Sequence, residues 1–191
     1  RQKCKACEKK LVGDYFINHK IKYIQCKYCS HVNGWHQDNK KFSNKIYVDE
    51  KVKYSKGYFE NNIKKFKLRQ KKIYDPKVEF LKSVFQNHSK IKVLDIGAGS
   101  GYFVSSLIDK KFKNAEGIEI SKNQKNFGKK MFNLLNKDPS KLKNSTYENL
   151  KKEIEITDSN CISLIGVIEH LVDMADLMKS IRKNKKIKYL Y

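Results

Sequence analysis

A glycine-rich turn between a strand-like segment and a helical segment constrains the fold of this chain more than any other feature. The segment reads Val93-Leu-Asp-Ile-Gly-Ala-Gly-Ser-Gly101. Glycines at such a turn let the backbone approach a ligand closely, while the N-terminus of the following helix points at that ligand. Glu119 ends the next apolar segment, 18 residues after Gly101, where it can accept hydrogen bonds from ribose hydroxyls. The turn and the acidic strand end together predict a βαβ unit that binds a nucleotide-like ligand.

From residue 91 onward, strand-like and helical segments alternate, which is typical of an α/β protein with a parallel sheet. The predicted strands cover residues 92–96, 115–120, a short segment before Thr146, 161–167 and 187–191. The predicted helices cover about 102–111, a segment that begins with a capping box of Ser121 and Gln124, and 173–184.

Four of the five cysteines form two pairs, Cys4-Lys-Ala-Cys7 and Cys26-Lys-Tyr-Cys29. Two C-x2-C pairs at this separation are typical of a zinc ribbon, because each tight turn directs two thiolates at a common centre. A closed shell of four sulfurs leaves no open position, so we expect structural zinc. The alternatives are two disulfides or unrelated cysteines. We favour zinc because we expect a cytoplasmic protein, and thiols stay reduced in that compartment.

The remaining thiol and imidazole groups near these motifs have simpler interpretations. His19, His31 and His36 lie close to the cysteine pairs in sequence, and we expect them at the surface. Cys161 stands alone in an apolar segment, which predicts a small buried side chain.

The region between the cysteine pairs and the glycine turn is polar and basic. Residues 33–44 suit a linker or an exposed loop. Residues 51–74 carry nine basic side chains and one acidic side chain, interleaved with aromatic residues, and fit a helical stripe only loosely. Pro76 predicts a break and the first turn of a new helix, whose apolar residues recur at helical spacing from Val78 to Phe85.

Composition limits the class of protein without identifying its partner. Lys plus Arg number 42 and Asp plus Glu number 20, so the net charge is +22. A hydrophobic fraction of 39% excludes a disordered chain. No apolar run reaches the roughly 18 to 20 residues of a membrane span. The basic excess favours nucleic acid, but only three basic residues are Arg, whose planar group reads phosphate and guanine best.

The acidic residue in the glycine turn limits the class of ligand that the turn can bind. Asp95 precedes the first glycine by two residues, which is unfavourable beside a pyrophosphate and suits a ligand with a positive ammonium group. The segment from Asp95 to Gly101 resembles motif I of the class I S-adenosylmethionine-dependent methyltransferases. Gly166-Val-Ile-Glu-His-Leu-Val-Asp173 resembles the segment after the fourth strand of that family. The resemblance covers residues 76–191 and implies a Rossmann-like sheet with S-adenosylmethionine as cofactor. The alternative is a glycine turn in another α/β protein.

The resemblance also implies a role for each cofactor-site residue. The methionine moiety would be held by Asp95, Gly97, Ala98, Gly99 and Gly101. Glu119 would hold the ribose, and Ile120 would flank the adenine. Thr146 and Tyr147 would lie at the adenine edge, although the acid often found there is absent. Gly166 would line the cofactor near the sulfonium.

Glu169 and His170 allow two interpretations. A methyl acceptor loses a proton, and histidine ordinarily titrates near neutral pH, so the pair is a candidate for the catalytic base. Alternatively, the pair caps the following helix or packs beneath the cofactor. Some relatives bind magnesium with Glu-x-x-Glu-His, but here the first position is Gly166, so we predict no magnesium site.

An N-terminal Cys4 ribbon before such a domain resembles the sugar C-methyltransferases, which implies a small anionic acceptor such as a nucleotide sugar. An RNA methyltransferase with a zinc module is the second interpretation, supported by lysines interleaved with aromatic residues. A non-catalytic protein with the same fold is the third. No membrane partner is expected, and the oligomeric state is left open.

We divide the chain into a zinc ribbon (1–45), a basic and aromatic helical linker (46–90) and a methyltransferase domain (91–191). The class I sheet has seven strands, and the predicted strands reach only the fifth at Tyr191. We therefore expect a domain that is truncated after the fifth strand, or one that needs a partner to complete its sheet.

Overall fold

The computed structural model describes residues 2–35, 39–47, 62–112 and 114–191. Within these ranges, the second cysteine pair directly follows the middle strand of a small antiparallel sheet, and the glycine turn directly follows a strand of a larger parallel sheet. None of the described helices combines the length and apolarity that a membrane crossing requires.

The N-terminal sheet consists of β1 (Tyr15–Asn18), β2 (Ile21–Gln25) and β3 (Val32–Gly34). The strands are antiparallel, and β2 lies in the middle. His19 and Lys20 join β1 to β2 in a two-residue turn in which both have positive φ, as a tight hairpin turn requires. Such short strands bury little apolar surface, so this unit depends on its cysteine turns for stability.

The prediction of a linker or loop over residues 33–44 was wrong in part. Asn33 and Gly34 belong to β3, and residues 40–44 belong to α1 (Lys40–Tyr47). Residues 36–38 lie outside the described part. A predominantly polar sequence does not by itself distinguish a helix from a loop.

The predicted break at Pro76 was also wrong, although Pro76 does lie in the first turn of a helix, as predicted. Helix α2 (Ile63–Arg69) continues through a π-helical turn (Gln70–Tyr74) directly into α3 (Asp75–Val84). Proline lacks an N–H group, and its ring clashes with the carbonyl four residues earlier in a regular α-helix. The wider turn, in which the Asp75 amide donates to the Gln70 carbonyl, relieves this conflict without ending the helix.

The larger sheet confirms the predicted Rossmann-like α/β fold. In the described ranges it contains five parallel strands in the order β6-β5-β4-β7-β8. The strands are β4 (Lys92–Ile96), β5 (Asn114–Glu119), β6 (Leu142–Asn144), β7 (Cys161–Ser163) and β8 (Tyr189–Leu190). The helices after them are α4 (Tyr102–Asp109), α5 (Lys122–Leu134), α6 (Tyr147–Ile156) and α7 (Met174–Lys183). The strand order reverses beside β4, and ligands bind at such a reversal in open α/β sheets.

Apolar side chains cover both faces of this sheet. Val93 packs with residues of α3 and α4 on one face, whereas Leu94 and Ile96 pack with residues of α6 and α7 on the other. This alternation follows from the two-residue period of a strand. The two cores hold β4 rigidly, so its C-terminal end is a fixed support for the glycine turn.

Strand β7 is shorter than the predicted 161–167. It ends at Ser163, after which the Leu164 amide still donates to the Tyr191 carbonyl at 2.8 Å. Gly166 then adopts φ +64°, a left-handed conformation that ends the extended chain. An apolar sequence alone does not show where the strand stops. The result is a turn, not a strand, beside the glycine loop.

Candidate functional site

The glycine turn forms a closely packed loop at the C-terminal end of β4. Gly97, Gly99 and Gly101 have φ values of +70°, +55° and +75°. These left-handed conformations favour glycine. The amides of Gly97 and Ala98 both donate to the Ile118 carbonyl, at 2.9 and 3.0 Å. The loop is therefore fastened to the neighbouring strand before any ligand binds.

Glu119 joins the end of β5 to this loop. Its carboxylate accepts hydrogen bonds from the Gly99 amide at 2.7 Å and from the Ser121 amide at 2.8 Å. The side chain is buried. Each carboxylate oxygen has a second lone pair, so the group can accept further hydrogen bonds from ligand hydroxyls.

A cavity of about 330 Å³ opens at this end of the sheet. Its volume falls in the range of small-molecule sites, about 300–1,000 Å³. The predicted site residues that line it are Gly97, Ala98, Gly99, Glu119, Ile120, Tyr147, Gly166 and His170. Four other predicted residues, Asp95, Gly101, Thr146 and Glu169, are not among the lining residues.

Asp95 lies behind the loop in the sheet. Its carboxylate accepts a hydrogen bond from the Ser163 hydroxyl at 2.6 Å. Burial raises the pKa of Asp95 to about 7; the Ser163 hydrogen bond opposes this shift, and the negative charge of Glu119 adds to it. The structure thus gives Asp95 an internal partner rather than direct access to the cavity.

Gly101 and Thr146 occupy positions that begin helices. Gly101 is the N-cap of α4, and a Cβ atom there would lie 2.6 Å from Leu142 Cδ1. The Thr146 hydroxyl caps α6 by accepting a hydrogen bond from the Asn149 amide at 3.2 Å. Neither residue lines the cavity, but each fixes the start of a helix that contributes lining residues.

Glu169 and His170 lie on a short 3-10 turn (Ile168–His170) near the cavity mouth. Their side chains are about half exposed, and His170 Nε2 lies 4.0 Å from Glu169 Oε1. The ring of Tyr47, at the end of α1, lies 6.0 Å from the His170 ring, centroid to centroid. Tyr47 also lines the cavity, so α1 contributes to the site.

Sequence reasoning missed several lining residues, namely Tyr47, Tyr74, Ser100, Tyr102 and Gln124. Ser100 lies within the glycine segment and Tyr102 directly follows it, so the sequence could have indicated that both line the site. The sequence did not indicate that Tyr74 reaches the cavity, because its position there depends on the π turn.

Ser100 supports the idea that the cavity holds a polar ligand. Its hydroxyl oxygen is buried and has no hydrogen-bond partner among the residues that the structure describes. Buried hydroxyls are normally paired, so a ligand in the cavity is a fitting partner.

The four N-terminal cysteines come together as predicted. Their sulfur atoms all lie within 4.8 Å of one another. The Sγ–Sγ distances are 3.6 Å for Cys4–Cys29 and 3.8 Å for Cys7–Cys26. Tetrahedral zinc with Zn–S bonds of about 2.3 Å implies Sγ–Sγ distances of about 3.8 Å. The donor set therefore fits a metal site, and the distances are far beyond the roughly 2.05 Å of a disulfide.

Asn33 supports this cluster, and sequence reasoning missed it. Its side chain is buried, and its Nδ2 group donates to Cys4 Sγ at 3.5 Å. Its Oδ1 atom accepts from the Lys5 amide at 2.9 Å, which joins β3 to the first cysteine turn. A polar residue in a polar segment gave no signal of this role.

The parallel sheet, the glycine loop and the acidic strand end together define a class I methyltransferase fold. A family model described as a methyltransferase domain matches residues 66–186, more than half of the chain. The chain therefore belongs to the methyltransferase domain family. A search of curated proteins found no match.

Proposed function

We propose that this chain transfers a methyl group from S-adenosylmethionine to a small acceptor. The observation that carries this proposal is the Glu119–Gly99 hydrogen bond at the wall of a cavity of about 330 Å³. This hydrogen bond connects the glycine loop with Glu119, the two motifs that the family resemblance assigns to one cofactor. The bound cofactor would supply an electrophilic methyl group on a sulfonium centre.

The residues around the cavity suit the parts of this cofactor. Glu119 accepts hydrogen bonds from the ribose hydroxyls, and Ile120 and Tyr147 flank the adenine. The glycine loop receives the methionine moiety, because glycine leaves room for close backbone approach. A Cβ atom added at Gly166 would meet no atom within 4 Å, so the space beside it is open, and the family resemblance assigns that space to the sulfonium.

His170 is the best-placed proton acceptor among the described lining residues. Its half-exposed imidazole can take the proton that the acceptor loses as the acceptor bonds to the methyl carbon. The carboxylate of Glu169, on the same turn and 4.0 Å from Nε2, balances the charge of the protonated imidazole. The products are the methylated acceptor, the demethylated cofactor and a proton on the imidazole.

The acceptor in this proposal is a small anionic molecule such as a nucleotide sugar. The cavity is of small-molecule size, and the resemblance to the sugar C-methyltransferases implies an anionic acceptor. Residues 48–61, part of the basic and aromatic segment, lie outside the described part. The same proposal divides the chain into a ribbon (1–45), a linker (46–90) and a catalytic domain (91–191). It also includes a cytoplasmic location.

Zinc is the metal we propose for the four cysteines. Four thiolates within 4.8 Å of one another close a tetrahedral shell, which suits a structural ion. The Glu8 side chain, beside Cys7, pairs with Lys179 of α7 at 2.7 Å. The ribbon thus contacts the methyltransferase domain directly.

RNA is the second candidate acceptor, and one observation favours it. The Lys22 ammonium lies 4.0 Å from the ring centroid of Tyr15 and 3.7 Å from that of Trp35, on an exposed face of the ribbon. Aromatic rings beside a cation are typical of surfaces on which single-stranded bases stack.

A transfer assay with methyl-labelled cofactor distinguishes these acceptors. We expect label on nucleotide sugars and none on total RNA at about 150 mM salt, where contacts to phosphate alone are weakened. Label on RNA that disappears in Trp35→Ala, with sugars unlabelled, would favour the second candidate. Label on neither, together with no cofactor binding, would contradict methyl transfer itself.

A further inference from the structure

Tyr74 and Ser100 line the part of the cavity beside the N-terminus of α4. The ring of Tyr74 stacks almost parallel on that of Tyr102, the first residue of α4, with centroids 5.6 Å apart and planes 6° apart. Ser100 precedes Tyr102 by two residues. The family resemblance assigns a role to neither Tyr74 nor Ser100.

The π turn brings Tyr74 to this position. Four inward residues of the α2–α3 helix are spaced by four, namely Phe66, Gln70, Tyr74 and Val78. A regular α-helix turns about 100° per residue, so side chains spaced by four residues do not stay on one face. Over three such intervals their direction shifts by about 120°. One extra residue in a π turn removes about 100° of that drift. Phe66 and Tyr74 can therefore both stack on Tyr102, at 4.2 and 5.6 Å.

A polar network fixes the start of the π turn. The buried Gln70 side chain accepts a hydrogen bond from the Ser105 hydroxyl at 3.0 Å and donates to the Asp109 carboxylate at 2.7 Å. Lys137 pairs with the same carboxylate at 2.7 Å. The turn is thus anchored to α4 at both of its ends, through Gln70 and through Tyr74.

The charges around the cavity limit how a ligand's carboxylate can be held. Among the described lining residues, the cavity has the acidic Glu119 but no lysine or arginine. Among the described lining residues beside α4, hydroxyls and the amides that begin the helix are neutral donors that can hold a carboxylate. Ser100 supplies a buried hydroxyl that has no partner among the described residues.

We infer that the hydroxyls of Tyr74 and Ser100 donate hydrogen bonds to the carboxylate at the methionine end of the cofactor. This inference rests on the proposed use of S-adenosylmethionine. It makes the α2–α3 helix part of the cofactor site. It also explains the π turn as the feature that directs Tyr74 at that site.

Two ligands that differ only in the amino-acid end test the inference. S-adenosylhomocysteine carries the carboxylate, whereas 5′-methylthioadenosine lacks the whole amino-acid group. We expect Tyr74→Phe and Ser100→Ala in the full chain each to weaken S-adenosylhomocysteine binding about tenfold in calorimetric titrations, since a hydrogen bond to a charged group is lost. Affinity for 5′-methylthioadenosine should change less than about twofold.

Controls separate this result from a general loss of structure. Tyr74→Phe keeps the ring that stacks on Tyr102, and Ile73→Ala changes an exposed neighbour on the same turn. Ile73→Ala should bind both ligands like the wild type. Equal weakening of both ligands in the two test variants, or unchanged S-adenosylhomocysteine affinity, would overturn the inference alone. A wild-type chain that binds neither ligand would overturn the proposed function as well.

Discussion

The carboxylate of Glu119 accepts a hydrogen bond from the amide of Gly99 at 2.7 Å. The acidic end of β5 and the middle of the glycine loop are therefore one structural unit. A second hydrogen bond, from the Ser121 amide, holds the other carboxylate oxygen at 2.8 Å. Two motifs that lie 20 residues apart in sequence are thus prearranged around one cavity.

Gly128 of α5 packs against the backbone of the glycine loop, so adding a methyl group there should destabilise the fold. A Cβ atom at Gly128 would lie 2.7 Å from the Ser100 carbonyl oxygen. Glycine to alanine inside an exposed helix ordinarily stabilises by about 0.5–1 kcal/mol. Here Gly128→Ala should lower the free energy of unfolding by about 1–3 kcal/mol, measured by urea denaturation. Lys130→Ala, on the exposed side of α5, is the matched control. A stabilised Gly128→Ala variant would show that the close contact is absent.

The buried carboxyl of Asp95 should make the protein less stable as the pH rises toward neutrality. Burial raises its pKa from 3.8 to about 7, so the folded state binds more protons than the unfolded state between these values. The stabilising contribution is complete below about pH 4 and is lost as the pH passes about 7. Asp95→Asn should therefore flatten the stability profile between pH 5 and 7. The difference should be a few kcal/mol at most, since one pKa unit corresponds to about 1.4 kcal/mol.

A surface carboxyl provides the control for this pH profile. Hydrogen bonds from Ser140 lower the pKa of Asp138, so its contribution is lost at acidic pH and not near neutrality. Asp138→Asn should leave the profile between pH 5 and 7 unchanged. If Asp95→Asn and the wild type have parallel profiles in that range, the carboxyl is not buried as described.

Replacement of His170 should separate proton transfer from cofactor binding. His170 lines the cavity, whereas Glu169 on the same turn does not. His170→Asn should lower turnover of an identified acceptor by about 10²–10⁴-fold, the usual contribution of a general base. The dissociation constant for S-adenosylhomocysteine should stay within about twofold. Glu169→Gln should have a smaller effect on turnover. Unchanged turnover in His170→Asn would assign this residue to packing.

The ribbon should contain one zinc ion per chain and depend on it. Elemental analysis of the purified protein checks the stoichiometry. Chelation should unfold residues 2–35, because the short strands bury too little surface to fold alone. Cys29→Ser should reduce zinc content. Cys161→Ala, a buried thiol outside the cluster, should keep one zinc. Ribbon NMR signals that stay unchanged after complete removal of metal would contradict this account.

The sequence predicted the parts of the fold that short-range patterns determine. Strand β4 was predicted with its observed bounds, since its apolar residues and the following glycines mark both ends. The four-cysteine cluster was predicted from spacing alone, because two tight turns leave their thiolates few other partners. The Ser121 cap of α5 followed from local hydrogen-bond chemistry.

Features that depend on tertiary packing were not predictable in this way. The π turn relieves the clash between the ring of Pro76 and a regular helix. The helix continues through it because Phe66, before the turn, and Val78, after it, are both buried in the core. The effect of the turn on Tyr74 appears only once α4 lies opposite. The internal pairing of Asp95 with Ser163 likewise needs β4 and β7 to be neighbours, and their residues are 68 positions apart.

Calorimetric titration of the full chain with S-adenosylhomocysteine tests the central claim most directly. The wild type should bind one equivalent. Gly99→Asp should abolish binding, because the residue has φ +55° and its Cβ would lie 2.8 Å from Gln124 Oε1. The new carboxylate would also lie near that of Glu119. Absence of binding by the wild type, or equal affinity of the wild type and Gly99→Asp, would contradict the assignment of this cavity to the cofactor.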